Sequence, residues 1–262
     1  MTEKPKVRKV RSRVYLLPNV FTTAALFSGF YAIVAATQNR FEAAAIAVFI
    51  AMILDNLDGS VARLTNSQSD FGAELDSLAD MVSFGLAPAL VMYEWALSSM
   101  RDYGWYWSKL GWLAAFVYVA GAALRLARFN TQRGVADKRF FQGLASPPAA
   151  GIMVGLVWLG VDLGYPGKQM VYFAFAVTIL CGLLMVSRIP YYSFKEFGRQ
   201  YRVHYTTMIF VVIALVCVIF DPAKVLFGLF TVYMLSGPFT LLLRRLRKYR
   251  RQRDQVSTEN SS

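Results

Sequence analysis

Long apolar blocks set the limits on what this chain can fold into. Stretches such as AAAIAVFIAMIL (43–54) and MVSFGLAPALVMYEWAL (81–97) are apolar nearly all round, with neither the one-sided stripe of a water-facing helix nor the alternation of a half-buried strand. A helix of about 20 such residues crosses a bilayer core of roughly 30 Å. With 56% of its 262 residues hydrophobic and 15% aromatic, the chain has material for many crossings. The expected fold class is therefore an all-α, polytopic membrane protein built as a helical bundle.

The blocks predict eight spans, at 15–37, 42–62, 76–97, 109–127, 147–163, 169–187, 205–220 and 223–243, the fifth and seventh of them short. Pro18, Pro88 and Pro238 fall inside these runs, where neighbouring helices can satisfy the carbonyls they free. Lys and Arg near span ends favour the cytoplasm. Placing both termini there leaves only Arg40, Arg101, Lys109, Lys168 and Lys224, of 28 basic residues, on the other side. The net charge of +12 is thus a topology signal, not a nucleic-acid footprint. The basic ends, residues 1–14 and 244–262, should rest on anionic membrane lipids, the second fraying into disorder. The expected location is the inner (cytoplasmic) membrane, with no cleavable signal peptide. RDYGWYWSKLGW (101–112) reads as an interfacial aromatic belt on the outer side.

Thiol and imidazole chemistry have little to work with. Cys181 and Cys217 fall mid-span as expected buried thiols, and His204 is the sole histidine, at the edge of a span. Carboxylates are the exception. DNLDGSVARLTNSQSDFGAELDSLAD (55–80) sets Asp55, Asp58, Asp76 and Asp80 beside two apolar runs, at a depth where an unpaired charge costs several kcal/mol. Asp55 and Asp58 share one helix face at i, i+3, and Asp76 and Asp80 another at i, i+4. Hard oxygens without Cys or His suit Mg²⁺ or Mn²⁺, and four carboxylates can hold two such divalent ions. Gly59 and Ala62 keep the neighbouring face open, Arg63 offers a planar fork to a phosphate, and Gly72 lies in the turn. An ion-coupled transporter is the rival reading of intramembrane acids, but it predicts acids spread over several helices near the midplane. Here they cluster at the cytoplasmic ends.

The pattern D-x2-D-G-x2-A-R-x8-G-x3-D-x3-D, filled by Asp55, Asp58, Gly59, Ala62, Arg63, Gly72, Asp76 and Asp80, resembles the signature of the CDP-alcohol phosphotransferase family. That resemblance implies transfer of a substituted phosphate from a CDP-linked donor to an acceptor hydroxyl, with release of CMP. It also implies two divalent metals held by the four aspartates, Asp80 as general base, a homodimer and a six-helix core. The core would be residues 15–190, and 191–243 would add two C-terminal transmembrane helices. Gly59, Ala62, Arg63 and Gly72 would line the donor site, with Asn19 and Thr22 either bonding the nucleotide or joining helices.

Three further segments, LLPNVFTTAALFSGF (16–30), ALRLARFNTQR (123–133) and FFQGLASPPAAG (140–151), are similar to the bacterial integral-membrane subgroup of that family, whose donor is CDP-diacylglycerol and whose acceptor is L-serine. Ala145 and Gln142 depart from that subgroup's G-L-P-x-P segment. Arg125, Arg128 and Asn130 are then the candidates to hold serine, since an arginine fork binds a carboxylate in a bidentate, charge-assisted way. Glycerol 3-phosphate, inositol phosphate and choline are the alternative acceptors within the family.

Overall fold

The computed structural model describes residues 16–65, 69–131, 140–192 and 216–259. Helix α1 (Leu16–Thr37) takes Pro18 in its first turn, where a missing N–H has no helical partner to lose. It ends in a tight turn at Asn39, whose φ of 58° is one that asparagine tolerates, and Arg40 N–H closes the turn on the Ala35 carbonyl at 2.9 Å. Helix α2 (Phe41–Leu64) folds straight back. The two meet along buried small residues, Ala32, Ala35 and Ala36 against Ala44, Ala45, Val48 and Ala51, which let the backbones approach closely.

Ser69 starts α3 (Asp70–Asp80) by accepting from the Gly72 N–H at 3.0 Å, with Asp70 in the positive first turn. The chain then winds into a π turn (Met81–Leu86) and continues as α4 (Ala87–Trp95), so that Asp70–Trp95 is one span. The sequence placed its start at residue 76. The cap lengthens it by a turn and a half and puts Asp76 inside the helix. Tyr118 donates to the Phe84 carbonyl within the π turn at 3.0 Å, and Ser83 to the Ala25 carbonyl at 3.0 Å.

A 3₁₀ segment (Leu97–Tyr103) leads to α5 (Trp105–Thr131). Tyr103, Trp105, Tyr106, Trp107 and Trp112 are exposed there, with the Lys109 ammonium 3.5 Å from the centre of the Trp105 ring, as an aromatic belt requires. Beside it Lys168 meets Asp102 at 2.8 Å, and that hydrogen bond and charge hold the Asp102 carboxyl below its ordinary value. Strands β1 (Phe140–Gln142) and β2 (Pro190–Tyr192) form an antiparallel ribbon, Phe141 opposite Tyr191, which the sequence did not announce. Gly143 follows at φ 84°, and a β-carbon there would stand 2.4 Å from the Met185 carbonyl oxygen.

Helix α6 (Ser146–Asp162) is the central one: every residue from Ala149 to Val157 is buried. Helix α7 (Val171–Val186) crosses α5 at Gly121 and Gly182, backbone to backbone. Helix α8 (Pro222–Glu259) packs on α6 and on β2.

Among the described residues, five helices have the length and hydropathy of a span: Pro18–Thr37, Phe41–Leu64, Asp70–Trp95, Trp105–Thr131 and Pro222–Leu241. The fifth and sixth predicted spans are present as shorter apolar helices of 17 and 16 residues. Of the seventh only 216–220 is described, as helix, and His204 lies outside the described residues. The chain is thus an all-α multi-pass membrane protein, and among the described residues seven of the eight predicted spans are represented by helices over most of their length, five of them of membrane-spanning length. Two expectations change. Helix α8 continues to Glu259, through a basic tail expected to fray, because its run of Arg, Lys and Gln favours helix. Cys217 is exposed, not buried, whereas Cys181 is buried as expected.

Candidate active site

Asp76 and Asp80 project from one face of α3, a turn apart, and Asp55 reaches them from α2. One carboxylate oxygen from each lies within 4.8 Å of the others. All three are half-buried. Three like charges so close need a cation, and Arg125 on α5 provides one that interacts with Asp80. It does not complete the account: Asp80 Oδ1 is buried and has no hydrogen-bond partner among the described residues. Such an oxygen is costly unless it is coordinated or transiently protonated. An all-oxygen set with a spare buried lone pair fits a hard divalent cation.

The fourth predicted ligand stands apart from this group. Asp58 is buried, and its Oδ2 accepts from Thr22 Oγ1 on α1 at 2.7 Å. Thr22 is itself buried and also lies 3.1 Å from the Pro18 carbonyl. Its hydroxyl is therefore directed at Asp58 and its own helix. Asn19, one turn earlier, adjoins the start of α3: a β-carbon on Gly72 would come 3.4 Å from Asn19 Oδ1 and 3.1 Å from Ser69 Oγ.

Around the acids the other candidates take distinct positions. Gly59 has open space where a side chain would be, and Ala62 is half-buried one turn on. Arg63 is exposed, its Nε donating to the Gly59 carbonyl at 2.8 Å and Nη2 to Ser60 Oγ at 3.4 Å, so the fork lies back on α2. Arg125 Nη1 donates to Ser146 Oγ, in the first turn of α6, at 2.5 Å. Arg128 Nη1 turns to the Val186 carbonyl at the end of α7, at 3.3 Å, where a cation suits the helix dipole. Asn130 Nδ2 donates to Ser77 Oγ at 3.1 Å and so braces α5 against α3 between the two acids of that helix. Of the three residues expected near the acceptor, Arg125 faces Asp80 of the acid cluster.

Sequence reasoning missed Ser69, Ser77 and Ser146. Ser69 carried a readable signal, a capping serine followed by Asp70 at a helix start. Ser77 and Ser146 carried none, because what matters about them is a partner on another helix.

A bundle of membrane-length helices with three converging carboxylates and a facing arginine defines a polytopic membrane protein with an acid centre suited to metal-assisted chemistry. The chain belongs to the CDP-alcohol phosphatidyltransferase family, whose model matches residues 15–236. It is 34% identical over 220 residues to a CDP-diacylglycerol–serine O-phosphatidyltransferase of Helicobacter pylori, covering 84% of this chain and 90% of that one. Similar proteins of the same name come from Mycobacterium leprae, 30% identical over 92% of this chain and 79% of that one, and from Bacillus subtilis, 29% identical over 70% and 94%.

Proposed function

We propose that this protein transfers the phosphatidyl group of CDP-diacylglycerol to the hydroxyl of L-serine, giving phosphatidylserine and CMP. The observation that carries the reading is the buried, unpartnered Asp80 oxygen beside Asp55, Asp76 and Arg125, in a chain whose relatives bear that activity's name. The serine oxygen attacks the phosphorus of the phosphatidyl group, the bond from that phosphorus to the CMP oxygen breaks, and CMP leaves with the electron pair. The hydroxyl proton goes to Asp80, whose Oδ1 is buried and has no hydrogen-bond partner among the described residues.

Asp55, Asp76 and Asp80, with Asp58 one turn further along α2, would hold Mg²⁺ or Mn²⁺, two ions in the family pattern. Bound there, they would neutralise the donor's pyrophosphate and the departing CMP oxygen. Gly59 and Ala62 leave room for the donor along α2, and Arg63, freed from its own helix, meets a phosphate. Asn19 and Gly72 border the same opening. Arg125 is the fork for the serine carboxylate, with Arg128 and Asn130 fixing the end of α5 that carries it. We assign residues 15–190 to the family core and 191–243 to an addition. We further assign the protein to the inner membrane as a homodimer with both termini cytoplasmic.

The test is transfer from labelled L-serine to CDP-diacylglycerol by purified protein in detergent with Mn²⁺, with glycerol 3-phosphate, inositol phosphate and choline in parallel. Labelled phosphatidylserine with stoichiometric CMP is expected. Lipid product from another acceptor and none from serine would overturn the acceptor while leaving the family intact.

A further inference from the structure

Helix α8 packs on α6 at two close approaches. A β-carbon on Gly155 would stand 3.3 Å from the Phe227 backbone, and one on Gly151 would stand 2.6 Å from the Phe230 ring. Three residues forward on α8 thus correspond to four backward on α6, so the helices are antiparallel. The next turn in that register brings Tyr233 and Met234 to the start of α6, where Ser146 receives Arg125. A second contact holds α8 at this level. The buried Tyr191 donates to the Met234 carbonyl at 3.1 Å and sets its ring 5.6 Å from that of Tyr233. Gly237 makes the room, since a β-carbon there would stand 2.4 Å from the Tyr191 ring.

Two phenols interact electrostatically with the Arg125 guanidinium, those of Tyr118 and Tyr233. Tyr118 lies two turns away on α5 and gives its hydrogen to the Phe84 carbonyl. Tyr233 comes from another element, at the level of the Arg125–Ser146 bond. A guanidinium has five N–H donors in one plane, so a contact to Ser146 and an attraction to Asp80 leave its other edge to be fixed.

We propose that Tyr233, on helix α8, is a positioning residue for the acceptor: its phenol oxygen accepts from Arg125 and holds the fork in the plane that receives the serine carboxylate. The inference rests on the reading of Arg125 given above. It makes α8 a wall of the acceptor site, and it gives this C-terminal helix a part in choosing what is phosphatidylated.

The experiment measures KM for serine and for CDP-diacylglycerol, kcat, and thermal midpoint in detergent, for the full chain and its Tyr233→Phe, Arg125→Lys and double variants. Tyr233→Phe keeps the ring against Tyr191 and loses only the hydroxyl. It should raise KM for serine roughly two- to tenfold, the range of one neutral hydrogen bond, with KM for CDP-diacylglycerol and the midpoint unchanged. In the Arg125→Lys background it should add less than twofold, because the group it positions is gone. An unchanged serine KM, multiplying factors in the double variant, or a joint rise of both KM values with a fallen midpoint would each overturn the inference. A parent protein that phosphatidylates another acceptor and not serine would overturn the acceptor reading first, and this inference with it.

Discussion

Asp80 and its two neighbours occupy one small volume, but the proposed chemistry asks different things of them. Replacing Asp80 with Asn should lower phosphatidyl transfer by about 10²- to 10⁴-fold, the usual contribution of a general base, while CDP-diacylglycerol still binds. Asp55→Asn and Asp76→Asn should weaken binding of the donor as well. Equilibrium binding of labelled CDP-diacylglycerol, read beside single-turnover rates, separates the cases, and equal loss of binding in all three would make Asp80 a ligand only. Thr22 supplies a second test. Thr22→Val leaves the buried Asp58 carboxylate without its 2.7 Å donor and should cost about 1–3 kcal/mol, seen as a lower thermal midpoint, whereas Thr22→Ser should keep most of it. The four aspartates were legible because their spacing reports helix faces directly. The pairing of Thr22 with Asp58 was not, since residues 36 apart in the chain meet only once α1 and α2 have found their register.

At the scale of elements, hydropathy located the helices and missed their ends. It saw neither the start of α3 at Asp70 nor the ribbon joining 140–142 to 190–192, because a capping hydrogen bond and a three-residue strand pair contribute almost nothing to a sliding average. Ser69→Ala should cost about 1 kcal/mol by removing that cap, and should loosen the turn that carries Gly72 toward Asn19. Glycine contacts were equally invisible. Gly121→Leu would drive a side chain into the Gly182 carbonyl, 2.6 Å from its first carbon, and should destabilise the α5–α7 pair by about 1–3 kcal/mol or more. Arg125 sits one turn beyond that crossing, so the variant should lose serine transfer along with thermal stability. Retained stability with normal transfer would mean the crossing is more compliant than its geometry implies.

Taken whole, the molecule gathers its acids among helix ends as an all-oxygen set of the kind that suits a hard divalent cation. Chelation with EDTA should therefore abolish CMP release, and Mg²⁺ or Mn²⁺ should restore it; full turnover in a chelated sample would end the metal reading. The rod that spans Asp70–Trp95 carries one more consequence. Its π turn winds more residues into each revolution than the α-helix on either side, so α3 and α4 are out of phase by an amount that the turn alone sets. Removing a single residue between 81 and 86 would let an ordinary helix run through with the two halves close to their present phase, because the wide turn absorbs one extra residue. Forcing the turn into α-helix at unchanged length would instead rotate one half against the other by about 100°, the angle one α-helical residue subtends. Length and hydropathy would hardly change, so the chain should still enter the membrane and be extracted in normal amount. Asp76 and Asp80 would simply face the wrong way, a lesion of angle alone.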